Sequence, residues 1–513
     1  MIKINPVTIL GKFIAKALTE PLGGFAFCSL HNKGHRRDCN GVNPNIFRGY
    51  DLRGVAGTDL NPEIVEIIGK GYGAFLNKNG IGKAVVGRDC RLTGQEYSEA
   101  LIKGLIWSGI DVIDIGLTLA GTLYWAQYYL KCQGGALVSA SHNPPEYNGF
   151  KFATGLSETM GGETIQELRK IIENEDFVQG ARPGKLEKQD ISGAYIDDIA
   201  SRFNLIKKFK VVIDASCATA GLFSPAILRK AGCEVIEENC QIDGNFPLGT
   251  PDPTEKVVAE RLSGEVKESG ADIGFTYDAD GDRLGVVDEN GGILWNDILV
   301  ALFADDVLEQ NPGAKIVFNT LCSKVVQDII LAKGGEPIMC KTGHSFIKAM
   351  TKKIGAKFGG ELSGHFFFLD KFYGHDDGCY GTLRLLDYLD KTGQTLSEAV
   401  GVLPKYISSP EIKIGCSDDL KVGLLVKIAK VLRRDFPQAQ VIDDSERAGD
   451  GARLEMPEAM FVIRYSQNGP YLTVKFEAKT ESRYNELKEY INKLLHSYPE
   501  VDWSFGVNVE SLN

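Results

Sequence analysis

No stretch of this sequence stays apolar over anything near the ~20 residues that cross a bilayer as a helix, so a helical membrane span is not expected. Positive charge is in deficit. Lysine and arginine together number 57 against 68 aspartates and glutamates, for a net charge of −11. That balance argues against general binding to nucleic acid or acidic membranes, and an anionic ligand would need a local basic pocket. A disulfide framework is also missing. The eleven cysteines are scattered and odd in number, as expected of a reduced, cytoplasmic setting. Residues 1–45 lack the continuous apolar core and cleavage pattern of a secretory signal. Ile9, Leu10, Phe13, Ile14, Ala17 and Leu18 recur there at helical spacing and predict a short amphipathic helix. Cys28, His31, His35 and Cys39 follow with zinc-ligating residue types, but their spacing matches no common zinc module.

What is present is an ordinary globular composition, 43% hydrophobic and 24% charged, in a chain too long for one core. Its 513 residues suggest roughly three to four domains. From Phe47 onward, apolar strands alternate with helical patterns: a helix over 62–76, a strand over 83–89, a helix over 95–107, a strand over 111–115. The pattern starts again at Lys210 and at Lys315. This reads as three successive α/β units on mainly parallel or mixed sheets, with joints near 183–190 and 403–410. After about Lys405 the pattern changes. A helix at 418–434 leads to a hairpin, 460–466 and 471–478, around Gln467-Asn468-Gly469-Pro470 and then to a last helix over 482–497. That is a smaller α+β unit.

Chemistry gathers in four stretches. Val138-Ser139-Ala140-Ser141-His142-Asn143-Pro144 follows a buried strand, and Pro144-Pro145 prevents a helix from starting. Ser141 is thus presented on a constrained turn as a nucleophile or phosphoryl carrier, although the heptapeptide alone also fits an ordinary Asx loop. Tyr277-Asp278-Ala279-Asp280-Gly281-Asp282-Arg283 sets three carboxylates around a glycine, an all-oxygen set for a hard cation such as Mg²⁺. An EF-hand would want glycine where Arg283 stands and a helix where Leu284–Val287 reads as a strand. Without a cation the three aspartates would repel one another.

In Gly359-Gly360-Glu361-Leu362-Ser363-Gly364-His365, Glu361 can accept two adjacent hydroxyls and Ser363 can add a bond, which suits a sugar edge. Arg464-Tyr465-Ser466-Gln467-Asn468-Gly469-Pro470 offers a guanidinium, a hydroxyl, an amide and turn N–H groups to an anion, though alone it is also a plain hairpin turn. Arg53, before Gly54, could reach a phosphate; taken alone it reads as a surface arginine.

Together these loops, in this order, resemble the α-D-phosphohexomutase superfamily over about residues 46–513. Ser139–Pro144 is similar to its phosphoserine loop, Asp278–Arg283 to its metal loop, Gly360–His365 to its sugar loop and Arg464–Pro470 to its phosphate loop. Within it, Phe47–Gly54, Tyr147–Lys151, Lys341–Ser345 and Asp376–Gly378 look like the bacterial phosphomannomutase/phosphoglucomutase branch. The sequence departs from that branch at Ala279 (usually Gly), Leu321 (often a substrate-contacting Lys), Gly469 (usually Thr) and Ser216-Cys217-Ala218 (usually Gly-Asn-Gly). Ala279 is tolerable if its φ is negative. The loss of the lysine bears on the preferred sugar more than on the reaction.

The resemblance implies a fold of three related mixed-sheet α/β domains and a C-terminal α+β domain around a central cleft. The expected boundaries are an extension at 1–45, then 46–189, 190–294, 295–404 and 405–513. It implies interconversion of hexose 1- and 6-phosphates, of mannose or glucose, through phosphorylated Ser141 and a bound 1,6-bisphosphate. Glucose or mannose 1,6-bisphosphate would act as activator. One Mg²⁺ would be held by Asp278, Asp280, Asp282 and the Ser141 phosphate. Arg283 would help neutralise the transferring group, Lys151 and His365 would be acid/base groups, and His142 would position the serine loop. Tyr50, Arg53, His344, Glu361 and Ser363 would contact substrate together with Lys151 and His365, and Arg464, Ser466 and Asn468 would hold its phosphate. Phosphoglucosamine mutase is the alternative substrate reading. A non-catalytic scaffold and a serine phosphatase fit the intact loops less well. Partners are phosphosugars, not nucleic acid; monomer and dimer both remain open.

Overall fold

Three apolar segments, Gly134–Val138, Ile273–Tyr277 and Phe358–Gly360, are strands with every residue buried. Near-continuous apolar character is what a strand covered on both faces requires. The computed structural model describes residues 41–466 and 469–512. The expected helix at 9–18, the Cys28–Cys39 group and Asn468 lie outside the described residues.

Each buried strand belongs to its own mixed sheet. The first sheet runs Leu52–Val55, Tyr147–Gly155, Gly134–Val138, Lys83–Arg88, Asp111–Leu117, Leu186–Lys188. The second runs Ile293–Leu294, Leu284–Asp288, Ile273–Tyr277, Lys210–Asp214, Glu234–Glu238; the third runs Glu336–Cys340, Lys315–Asn319, Phe358–Gly360, Phe366–Phe368. One connection recurs in all three. A strand paired in parallel with a neighbour turns back and pairs antiparallel with the next strand of the chain. The turns close at Val138↔Phe150, Tyr277↔Leu284 and Gly360↔Phe366. The serine, aspartate and glutamate loops are these three turns.

Helices cover the sheets. Pro62–Lys78 starts at its Asn61 cap, whose side chain accepts the Ile64 N–H at 2.8 Å, and packs on Gly94–Trp107. The two helices meet at Gly69 and Gly104, where an added Cβ would fall 2.4 Å from the Leu101 carbonyl oxygen and 2.3 Å from that of Glu66. Apolar residues of all three sheets, among them Val85, Leu137, Val211, Phe275, Ile316 and Phe358, form one continuous core.

The fourth sheet is antiparallel: Gln440–Ile442, Gly451–Met456, Ala459–Tyr465, Tyr471–Ala478, Ile412–Gly415, Asp502–Val507. It has a core of its own with helices Lys421–Asp435 and Glu481–His496. The stretches expected as joints each carry a short strand. Leu186–Lys188 edges the first sheet, and Ile407–Ser408 pairs with Tyr471–Ala478.

Two departures noted in the sequence have a structural outcome. Ala279 is not among the residues at positive φ, and Gly281 takes the left-handed turn at φ +67. Ser216 and Cys217, by contrast, adopt φ +48 and +60 without being glycine, a conformation that costs an L residue about 1–2 kcal/mol.

Candidate active site

Ser141 also sits at positive φ, +49, so the turn that presents it must be held from outside. Arg91, with a fully buried side chain, does this. Its guanidinium donates to the carbonyls of Ser141 and Asn143 at 2.6 Å each, of Pro144 at 2.7 Å and of Tyr147 at 2.9 Å. The Ser141 N–H donates to Ser139 Oγ at 2.8 Å. Arg53 is not the surface residue its isolated setting suggests. It pairs with Asp51 at 2.8 Å and donates to the Ala140 carbonyl at 3.2 Å and to the Asn143 side chain. Asn143 thus serves the loop through Arg53.

The serine and aspartate loops meet directly. Ser141 Oγ donates to Asp278 Oδ2 at 2.7 Å, and Ser139 Oγ donates to Asp280 Oδ2 at 2.9 Å. Lys151 Nζ lies 2.7 Å from Asp280 Oδ2 and 2.5 Å from Asp282 Oδ2. The repulsion expected among the three aspartates is therefore relieved in part by a lysine of the first sheet. Burial and the neighbouring Asp282 and Asp280 push Asp278 well above the usual carboxylate range. Burial acts the same way on Asp280, but Lys151 outweighs it and holds that carboxyl below its ordinary value. Lys151 is buried too, yet the three aspartates keep its ammonium charged.

The three carboxylates fit a hard divalent cation. Their ligand oxygens lie within 4.8 Å of one another. Oδ1 of Asp280 and Oδ1 of Asp282 are buried without a hydrogen-bond partner among the described residues. The strand Leu284–Asp288 follows directly, which excludes the exiting helix of an EF-hand.

The third loop brings two histidines to the aspartates. His365 Nδ1 lies 2.9 Å from Asp376 Oδ2 and 3.6 Å from Asp282 Oδ1. Arg283 Nε donates to His365 Nε2 at 3.1 Å, which leaves the ring proton on Nδ1. Arg283 also faces Asp252 at 3.4 Å. His344 Nδ1 reaches Asp376 at 3.2 Å, and its ring meets Tyr50 edge-on with centroids 4.6 Å apart. Burial lowers His344, against the pull of Asp376. Burial, then Arg283 and Arg53, hold His142 well below its usual value, and its Nδ1 lies 3.2 Å from Ser141 Oγ. Glu361 accepts the Gly343 N–H at 2.9 Å, and Ser363 beside it is half-buried.

On the fourth sheet, Arg464 pairs with Asp450 and feels the charge of Glu361. Ser466 is buried at the strand's end, its carbonyl held by Lys421 Nζ at 2.5 Å. Asn468 is outside the described residues. Leu321, at the position of the expected lysine, is buried.

Sequence reading missed the residues that hold this constellation in place: Arg91, Ser139, Asp252, Asp450 and, as a partner of both histidines, Asp376. Asp376 carried a signal in Asp376-Asp377-Gly378, and Arg91 stands just past a strand end. Ser139 lies inside the quoted serine loop, though its contact with Asp280 could not be read there; nothing local marks Asp252 or Asp450.

Known proteins resemble this chain over most of its length. The family profiles described as phosphoglucomutase/phosphomannomutase, alpha/beta/alpha domains I, II and III match residues 44–179, 193–292 and 295–406. A phosphomannomutase/phosphoglucomutase of Pseudomonas putida is 39% identical over 462 residues, covering 90% of this chain and 98% of that one. A phosphoglucomutase of Neisseria gonorrhoeae is 38% identical over 463 residues, with 90% and 99% covered. Among solved structures, a phosphoglucomutase/phosphomannomutase family protein of Burkholderia thailandensis superposes with a TM-score of 0.81 at 34% identity, over 89% of this chain and 98% of that one.

Proposed function

The chain belongs to the phosphoglucomutase/phosphomannomutase family, and from that premise we propose how its cleft interconverts hexose 1-phosphates and 6-phosphates. The observation that carries the reading is the 2.7 Å contact between Ser141 Oγ and Asp278, which brings a nucleophile to a cation site.

Ser141 carries the phosphoryl group in the resting enzyme. A hexose 1-phosphate places its phosphate on Arg464, Ser466 and Asn468, and its ring hydroxyls on Glu361 and Ser363, with His344, Tyr50 and Arg53 around it. The oxygen of its 6-hydroxyl attacks phosphorus, the P–Oγ bond of Ser141 breaks, and the hydroxyl proton leaves to a base. His365 is the ring suited to take it. Its Nε2 accepts the Arg283 Nε–H at 3.1 Å, so that donor must give way to the sugar hydroxyl for the transfer, and Asp376, 2.9 Å from Nδ1, stabilises the imidazolium that results. Lys151, the other acid/base group that the resemblance implies, is the donor for the proton that Ser141 Oγ takes up as the P–Oγ bond breaks, a transfer that needs the hold of the aspartates on its ammonium to loosen. His142, kept neutral and 3.2 Å from Oγ, positions the serine loop. The 1,6-bisphosphate then turns over within the cleft, and its 1-phosphoryl group returns to Ser141.

The cation is Mg²⁺, for which Asp278, Asp280 and Asp282 supply the oxygens; when bound it neutralises charge on the transferring group. Arg283 adds positive charge beside it. A glucose or mannose 1,6-bisphosphate restores the phosphate of a dephosphorylated Ser141. The working units are 46–189, 190–294, 295–404 and 405–513. A cytoplasmic setting is supported by the nine cysteines among the described residues, all free thiols. No helix among those residues is long and apolar enough to cross a membrane.

The test is a coupled assay on mannose, glucose and glucosamine 1-phosphates with the bisphosphate activator. Turnover of the first two supports the reading. A preference for the glucosamine phosphate moves the assignment to phosphoglucosamine mutase, and no turnover of any rejects it.

A further inference from the structure

The sugar-binding loop and the phosphate anchor lie on different sheets with separate cores, yet one substrate must touch both. The contact between these bodies is built of buried charge. Arg453, on the strand Gly451–Met456, is 0% exposed. Its Nη1 donates to the carbonyls of Thr320 and Cys322, both at 2.6 Å, and its Nε donates to Glu455 at 2.7 Å. Glu455 in turn meets Lys324 Nζ at 2.6 Å, the Lys324 N–H donates to Glu477 at 2.6 Å, and Lys475 pairs with Asp297 at 2.5 Å. The segment 320–324 is thus gripped repeatedly from the fourth sheet.

That segment leads to the sugar site. Asn319, at its start, accepts the Leu362 N–H on Oδ1 at 3.2 Å and donates from Nδ2 to Thr342 at 3.4 Å. Leu362 lies between Glu361 and Ser363, and the Gly343 N–H, next to Thr342, is held by Glu361. On the other side, Arg453 shares its strand pair with the phosphate anchor: Gly451 pairs with Arg464, and Arg453 with Val462. A buried ion network stabilises an interface little better than apolar residues would. A planar guanidinium whose Nη1 serves two carbonyls while its Nε is held by Glu455, however, fixes distance and direction.

We infer that Arg453 is a positioning residue, which sets the spacing between the sugar loop and the phosphate anchor by clamping the 320–322 carbonyls. This rests on the mutase reading. A ligand held at both ends gains from that fixed spacing, whereas one held at the phosphate end gains nothing.

The experiment compares two ligands in wild type and in Arg453→Met: hexose 1-phosphate as substrate, and inorganic phosphate as a competitive inhibitor needing the anchor alone. The expected result is a KM about tenfold higher for the sugar phosphate, with the inhibition constant of inorganic phosphate changed less than about twofold. A parallel loss of both, or an unmoved KM, overturns the inference. Because Arg453→Met leaves the Glu455 carboxylate with one cation fewer, Arg453→Met/Glu455→Gln is measured beside it. It removes both charges and leaves Lys324 an acceptor. Arg453→Lys, which keeps charge without the planar group held at Nε, should recover little of the KM; full recovery also overturns the clamp. Failure of the mutase reading would appear differently, as a wild type without turnover.

Discussion

Lys151 Nζ sits 2.7 Å from Asp280 Oδ2, and the two residues come from different sheets. Lys151 follows the serine loop on Tyr147–Gly155, and Asp280 lies in the turn after Ile273–Tyr277. The pair fastens the first two sheets together at the reacting centre and serves as internal counter-charge to the aspartates. Lys151→Met should therefore destabilise the protein in chelator by about 3–5 kcal/mol, the usual result of orphaning a buried charge. Saturating Mg²⁺ should restore much of the loss. Thermal unfolding of both proteins with and without the ion measures it. A variant as stable as wild type in chelator would show that Lys151 does not balance these carboxylates.

Ser141→Ala is expected to remove nearly all mutase turnover while leaving the fold intact, because Arg91 holds the turn through carbonyls the substitution does not touch. Intact-mass spectrometry should find one phosphate on wild type and none on the variant. A wild type that never carries phosphate, even after bisphosphate treatment, would end the phosphoserine mechanism.

Asp280→Asn should lower kcat far more than it raises KM, since charge on the transferring group peaks in the transition state. EDTA should reproduce the effect in wild type, and added Mg²⁺ should reverse EDTA alone. Full activity in excess chelator would remove the cation from the scheme.

Glu361→Gln should weaken mannose and glucose 1-phosphates alike. The two sugars differ at C2, while the resemblance implies that Glu361 grips the C3 and C4 hydroxyls, which they share. A charge-assisted hydrogen bond contributes about 1.5–3 kcal/mol, so kcat/KM should fall roughly tenfold to a hundredfold for both. A fall confined to one sugar would mean that Glu361 reads C2.

Lys352 gives a pH test away from the chemistry. It donates to the Leu156 and Ser157 carbonyls at 2.9 Å each, across from the third sheet to the first. Burial, then the nearby Lys348, lower it from 10.5 to about 8. Between those values the unfolded chain holds the proton that the folded protein has released. Wild type should therefore gain stability as pH rises from about 8 to 10.5, relative to Lys352→Met, which has no such titration. With part of the group still in water, the gain should be about 1–2 kcal/mol. Denaturant midpoints of both proteins across that range would show it, and a constant difference between them would refute it.

The strands and their exits were legible because apolar runs end abruptly in residues with chemistry, as Val138 gives way to Ser139 and Tyr277 to Asp278. The glutamate and arginine loops were legible through the same contrast and through family resemblance. The supporting residues were not, since their partners are remote in sequence. Arg91 acts on carbonyls fifty or more residues away, and Arg453 on others more than a hundred away. The surroundings of Arg53 were hidden for the same reason: a lone arginine two residues past an aspartate looks solvated until the Ala140 carbonyl is brought beside it. Local pattern records what a residue does to its own segment, and these residues act on another.

The recurrence of one parallel-to-antiparallel turn at Val138, Tyr277 and Gly360 means that the three α/β sheets present their loops by one device. Each turn is pinned at both ends by a strand ladder, and the ladder is indifferent to what the turn carries. Exchange of a turn is thus a natural unit of redesign. The limit of such an exchange is His365, which ties the third turn to Arg283 and Asp282 of the second; a transplant of 361–364 that keeps His365 changes the sugar contacts and leaves that tie in place.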